Sequence, residues 1–529
     1  MFDIKRIIFA ILIMMLSAGL AACGRSESEE GYVESGELVV IEDSSDIKLG
    51  MYDLDTLNPL ETKSESVRKI MNIVYEPLFT LGADKALEPV LASGYSLSQD
   101  GTQITVNLKE GVKWQDGTNF TADDVVYTLS KMRSAGGLYG KISDKIRSFT
   151  ATSKTQVVIN FERAEPSSAY LLTFPVISKS TKYVSDGSFS PVGTGSYKLE
   201  SKSSTEMILM PNSIWHGGES SKKRILVKLL KDKNAVAEAF NVSEIDVITS
   251  DELSLEAATP KMNSHTEEIV SDKMVFLGFN TASSAVSSVN IRKAIIGLLD
   301  KQKILENDAY GHGRVSELAI NPSSWAYQGV TAGEQPQDYT QNLIADDGYT
   351  LSDGIYYKAG VPLFVRILVN SDNTQRAALA DGIADSLKAS GFSVTVEKVS
   401  YADYIAKISG DDFDMFVGEI EVEPNLNPAT MLTASDNYFN FDISGINEVM
   451  SRLYGVTDNE VYKAGIAEFM QKFYSDPPYV PLYFRTENVI YGSYVSGTVK
   501  PNEFNPYKNI EKWYIYDKDG KESKEKTDE

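Results

Sequence analysis

The sequence predicts an α/β protein of more than one lobe, and two observations carry that reading. The chain has 529 residues, beyond the length at which a single hydrophobic core stops growing. Between residues 362 and 418 the apolar spacing switches repeatedly between the period of a strand and that of a helix. Residues 362–370 form an apolar strand. Leu379, Ile383 and Leu387 then stripe one face of a helix that stops near Gly391, a residue suited to the left-handed backbone that ends helices. Phe392, Val394 and Val396 alternate as a second strand, residues 401–408 read as a short helix, and residues 413–418 as a third strand. This strand–helix–strand–helix–strand order implies a parallel sheet. Ligands of such sheets sit beyond the carboxyl ends of the strands, which places Glu419 to Glu423 beside a binding cleft.

An earlier block has a different pattern. Residues 103–108 alternate polar with Ile104, Val106 and Leu108, as a half-buried strand does, and Asp100-Gly101 and Asp116-Gly117 mark turns. Thr121 followed by Asp124 is a helix-start signal ahead of Val125, Val126 and Leu129.

Composition narrows the function classes. A formal net charge of -23 repels phosphate backbones and acidic headgroups, so neither nucleic acid nor a polybasic membrane attachment is expected. One cysteine cannot form an internal disulfide or a thiolate cluster, and His216, His265 and His312 are scattered. Neither a cofactor nor a protein-held metal is expected. A secreted hydrolase would need a Gly-x-Ser-x-Gly elbow or a His-Glu-x-x-His helix, and the chain has neither.

The N-terminus reads as a leader. Lys5 and Arg6 precede an apolar run over residues 7–22 that is short for a membrane span. It ends in Leu20-Ala21-Ala22-Cys23-Gly24, which resembles the lipobox of bacterial lipoproteins. That resemblance implies a signal peptide over 1–22 and lipidation at Cys23; the alternative is an uncleaved anchor helix. Residues 23–36, rich in Ser, Glu and Gly, read as a tether, and the polar tail from 517 as an unpacked end.

Several segments, in order, resemble the solute-binding proteins of peptide and nickel ABC transporters. They are Leu54-Asp55-Thr56-Leu57-Asn58-Pro59, Val74-Tyr75-Glu76-Pro77-Leu78-Phe79, Gly111-Val112-Lys113-Trp114-Gln115-Asp116-Gly117, Gly193-Thr194-Gly195-Ser196-Tyr197, Phe279-Asn280-Thr281 and Ile291-Arg292-Lys293-Ala294-Ile295. The resemblance implies a periplasmic-binding-protein-like type II fold, with two α/β lobes, hinge strands and an inserted extra lobe. Lobe I takes 37–60, 178–265 and 486–529, the insert 61–177, and lobe II 266–485. It further implies a monomer, lipid-anchored on the outer face of the cytoplasmic membrane, that captures an oligopeptide or similar solute for an ABC permease and ATPase. A nickel chelate as ligand, or a sensory role, stays open.

The same resemblance nominates site residues. Asn58, Tyr75 and Glu76 fall in family segments near the cleft, with bracing of a helix end as the alternative role for Glu76. Peptide-binding relatives carry a Trp and an Asp after the last strand of lobe II, where this chain has Glu419-Ile420-Glu421-Val422-Glu423-Pro424-Asn425-Leu426-Asn427-Pro428. Glu419, Glu421, Glu423 and Asn427 are therefore ligand candidates, with Glu423 as the amine-binding acid; a solvated edge is the alternative for the acidic run. Trp325 lies in a turn-rich loop of the region that lines the cleft in the family, whereas Trp114, Trp215 and Trp513 read as packing.

Overall fold

The structure is a computed structural model. It describes residues 46–135, 137–165, 167–181, 189–218, 223–250, 263–328, 338–423, 426–432 and 437–515. The leader, Cys23, the tether and the tail from 517 lie outside the described residues.

Strand β1 (Ile47–Met51) is the first element of the described residues. A four-stranded antiparallel sheet follows from β2 (Ala92–Leu97), β3 (Gln103–Leu108), β4 (Ile146–Ser153) and β5 (Gln156–Phe161), in the order β2-β3-β5-β4. Helix α1 (Ala122–Ala135) packs on that sheet. The Asp124 carboxylate accepts hydrogen bonds from Thr121 N at 2.9 Å and Thr121 Oγ1 at 3.2 Å, which is the predicted helix start. The chain then returns through β6 (Tyr197–Lys202), β7 (Glu206–Pro211), β8 (Ile225–Leu229), β9 (Val247–Ser250) and the long β10 (Ser264–Phe279).

The predicted parallel unit is β11 (Phe364–Asn370), α2 (Thr374–Ala389), β12 (Ser393–Val399), α3 (Tyr401–Ser409) and β13 (Met415–Glu421). Strand β11 lies between β12 and β13 and parallel to both. At the end of α2, Gly391 has φ +95°, its N–H bonds Lys388 O, and the next N–H, of Phe392, bonds Leu387 O. These paired bonds satisfy the last carbonyls of the helix, as the glycine predicted. The third strand differs from expectation: it runs on to Glu421, because β10 continues to pair with it through Lys273 opposite Glu421.

The last long strand, β14 (Tyr479–Gly492), completes one large sheet of order β12-β11-β13-β10-β14-β9-β1-β8-β7-β6. Among the described residues only β10 and β14 run through both halves, and the expected lobe borders at 265/266 and 485/486 fall inside them. Their alternation feeds two cores at once. From β10, Met274 and Phe276 enter a cluster with Phe416, Phe439 and Phe473, whereas Val275, Leu277 and Phe279 enter another with Ile367 and Ile383. The four-stranded sheet shares a single apolar cluster with β1, β7 and β8.

Between Val270 opposite Thr486 and Met274 opposite Phe484, three residues of β10 face only Arg485, so the strand bulges there. Ser271 Oγ donates to Arg485 O at 3.0 Å, and Asn321 Nδ2 donates to the carbonyls of Val270 and Ser271, each at 3.0 Å. The bulge turns Asp272 out of the ladder.

The segments that carried the family resemblance interlock. A Cβ on Gly193 would lie 1.8 Å from Val74 O, so only glycine permits that approach. Gln115 accepts from Gly193 N at 2.9 Å and donates to Tyr197 O at 2.7 Å. In the other half, the buried Arg292 guanidinium donates to the carbonyls of Pro477, Val286 and Ser287 and pairs with Asp476.

Candidate functional site

Two adjoining cavities lie at the junction of the halves. The first, of about 10 Å³, is lined by Lys85, Asp272, Asn321, Val422, Glu423 and Leu426, among others. Lys85 sits in the turn before Leu87, with φ +58°. Its ammonium donates to Asp272 Oδ1 at 2.9 Å and to Glu503 Oε2 at 2.7 Å. Asn321 Nδ2 adds a bond to Asp272 Oδ1 at 2.8 Å, and Asp272 N donates to Glu503 Oε1 at 2.8 Å. The strand bulge thus gathers side chains from four separate stretches of chain. Burial alone would lower the Lys85 ammonium, but Asp272 and Glu503 outweigh it and hold it above its ordinary value. Burial, followed by the negative field of Asp272, pushes Glu503 up to about 8.

The acidic run occupies the end of β13 and the residues just past it. Glu419 lies within the strand and pairs with Arg485 at 3.4 Å and Arg376 at 3.8 Å. Glu421 is exposed at the strand end. Glu423 lies past it, and its carboxylate meets Lys145 Nζ at 2.5 Å; Lys145 in turn reaches Glu165 at 3.4 Å. Burial, and after it the nearby Glu423, raises Glu165 above the usual carboxylate range despite Lys145.

The second cavity, of about 160 Å³, has Tyr95, Tyr170, Trp325 and Tyr462 in its walls. Trp325 Nε1 donates to Tyr170 Oη at 2.8 Å. The structure therefore brings Glu423 and Trp325, both nominated from sequence, to neighbouring walls. It places the other nominees elsewhere. Asn58 is buried and its Oδ1 accepts from Leu60 N at 3.1 Å, closing a turn. Tyr75 is buried, its hydroxyl accepts from Val192 N at 3.1 Å, and burial raises its pKa. Glu76 accepts from Trp215 Nε1 at 2.9 Å and lies 2.8 Å from His216 Nε2, bracing the loop after β7. Asn427 Oδ1 accepts from Ala429 N at 2.9 Å within its own turn. None of these four lines either cavity.

Sequence reasoning missed Lys85, Lys145, Asp272, Asn321 and Glu503. No local signal marks them, since Lys85 and Glu503 are 418 positions apart. Among the described residues no three or more His, Cys, Asp and Glu side chains are grouped to hold a metal ion. No described helix is long and apolar enough to cross a membrane.

Two sheet halves joined by two continuous strands, with cavities at the junction lined from both sides, define a type II binding-protein fold. The nickel ABC transporter structure from Bacillus halodurans shares it, with a TM-score of 0.75 at 18% identity, over 87% of this chain and 98% of that one. The sequence profile of the bacterial extracellular solute-binding proteins, family 5 (middle), matches residues 86–440, and the chain belongs to that family. The oligopeptide-binding protein AppA of Bacillus subtilis (strain 168) is 22% identical over 95% of this chain and 97% of its own. The nickel-binding periplasmic protein of Escherichia coli (strain K12) is 25% identical over 64% of this chain and 68% of its own.

Proposed function

We propose that this protein is the substrate-binding lipoprotein of an ABC importer. In this reading Cys23 anchors it to the outer face of the cytoplasmic membrane, and the interlobe cleft captures an oligopeptide or a similar small solute for a permease and ATPase. The observation that carries the ligand assignment is Glu423, a carboxylate beyond the end of a central strand that already holds a cation, Lys145, from across the cleft at 2.5 Å. A peptide's ammonium would take the place of that lysine. The first cavity, at about 10 Å³, is far smaller than a peptide, so the lobes must part to admit one.

Calorimetry with paired peptides tests the assignment. Glu423→Gln should weaken peptides with a free amino end by about 2–5 kcal/mol, the range for breaking a buried charge pair. N-acetylated peptides should bind wild type poorly and lose little more in the variant, since both changes remove one interaction. Equal small losses in Glu419→Gln, Glu421→Gln and Glu423→Gln would return the acidic run to a solvated edge. Native mass spectrometry of the purified protein separates a peptide from a metal chelate. Cell fractionation of Cys23→Ala tests the anchor: lipid retained on that variant would overturn it.

A further inference from the structure

The larger cavity is a built pocket rather than a packing gap. Its aromatic walls are held by bonds that turn their polar atoms to other partners. Trp325 Nε1 is spent on Tyr170 Oη at 2.8 Å, and Tyr462 Oη donates to Leu426 O at 3.0 Å. The Tyr95 ring stands edge-on to Phe79 with centroids 5.6 Å apart, and Trp325 leans on Tyr462 at 6.0 Å. The walls are thus fixed before any ligand arrives, which lowers the ordering cost of binding.

Size and charge select the occupant. In size alone, about 160 Å³, it resembles the roughly 150 Å³ engineered cavity that takes up benzene, and its lining adds Ser167, Thr457 and Asn459 to the aromatic walls. A cation is disfavoured by a positive neighbour, and Asp458, the acidic residue in the lining, has its Oδ1 accepting from Glu460 N at 2.9 Å and Val461 N at 3.0 Å to cap its helix. The Lys463 ammonium stands 6.0 Å from the Trp325 ring centroid and would repel a second positive charge.

The pocket also adjoins the site of Glu423. Lys85 lines the smaller cavity and the next two residues, Ala86 and Leu87, line the larger one; Leu426 lines the smaller and accepts the hydroxyl of Tyr462, which lines the larger. We propose that this pocket receives one neutral aromatic ring of the ligand, so that the protein selects solutes joining an ammonium to a phenyl or phenol group, as a peptide with Phe or Tyr near its amino end does. The choice of a peptide rests on the function proposed above; the ring pocket stands on its own geometry.

The test uses penta-alanine and its single-Phe variants, with p-cresol as a probe independent of any peptide. One Phe register should bind roughly tenfold to a hundredfold tighter than penta-alanine, the gain from burying a phenyl group. Leu97→Trp, at another lining residue of this pocket, fills it and should bring the single-Phe peptides down to the affinity that penta-alanine has for the same variant; Leu87→Trp serves if the first variant does not fold. p-Cresol should quench or shift tryptophan fluorescence in wild type and not in the filled variant. If all peptides bind equally and p-cresol does not bind, the ring pocket is wrong and peptide capture stands. If no peptide binds but p-cresol does so in wild type alone, the pocket stands and peptide capture falls. If neither binds, both are wrong.

Discussion

Two lysines bridge the parts of this molecule, and they do so in contrasting surroundings. Lys85 is 8% exposed in its side chain, between Asp272 at 7% and Glu503 at 11%. Lys145 is 24% exposed and its partner Glu423 is 35% exposed. The first bridge sits on the bulge of β10, where Asp272 also receives Asn321 and its carbonyl accepts Val422 N at 2.8 Å. Phe504 lies 5.4 Å from the same ammonium. Removing one member there strands a buried charge. The second bridge is partly open to water, so its charges can exchange partners at lower cost than those of the first. The contrast separates a fixed joint from a replaceable contact, and the proposal that Glu423 exchanges its lysine for a ligand's ammonium requires the replaceable kind.

The sharpest break is Lys85→Met. Asp272 and Glu503 would lose their shared cation in a dry site, and urea unfolding should show a loss of about 3–5 kcal/mol. The double variant Lys85→Met, Glu503→Gln should recover part of it, because one stranded carboxylate is gone. A loss under about 1 kcal/mol would put the two bridges in one class.

Next in size is a dependence on pH. The Glu503 carboxyl is raised in the folded state from 4.5 to about 8. Its contribution to stability is therefore complete below about 4.5 and declines as pH rises toward 8, because the unfolded chain ionises first. The whole shift, with the opposing pull of Lys85 already inside it, corresponds to at most about 5 kcal/mol at 1.36 kcal/mol per unit. Glu503→Gln should flatten that decline in thermal melts from pH 4 to 8; an unchanged slope would assign it to other groups.

Smaller still is Lys145→Met. Stability should change by about 0.2–1 kcal/mol, and freeing Glu423 should raise affinity for an ammonium-bearing peptide by up to about fivefold. Calorimetry that shows weaker binding instead would make Lys145 a ligand contact rather than a competitor. Glu421→Gln, at the exposed strand end, should leave both quantities within about 0.5 kcal/mol.

The legible parts of the molecule are those in which neighbours in sequence are neighbours in space. Leu379, Ile383 and Leu387 point to one core because a helix repeats every 3.6 residues, and Gly391 stops it because its backbone can turn left-handed. The family segments were legible too, and the structure gives the reason: Gly193, Gln115, Tyr75, Glu76 and Arg292 brace the fold through contacts within the protein. Such residues reveal the family while saying little about the solute. The strand-end rule pointed to the stretch 419–423 because it is local once the parallel unit is read, and the family resemblance singled out Glu423 within it.

The sequence by itself determined the parallel unit and the glycine that ends its first helix, since each follows from local periodicity or backbone freedom, whereas the strand expected to stop at Gly418 runs on through Glu419 and Glu421 because β10 pairs with it. Only the tertiary structure decided which acid meets which base. Glu419, Glu421 and Glu423 are alike in the chain, yet one is held by two arginines, one faces solvent and one reaches across to Lys145. The joint of Lys85, Asp272 and Glu503, and the aromatic pocket beside it, join residues hundreds of positions apart. Their chemistry depends on burial and on partners that come together only when β10 and β14 bring the two halves into register.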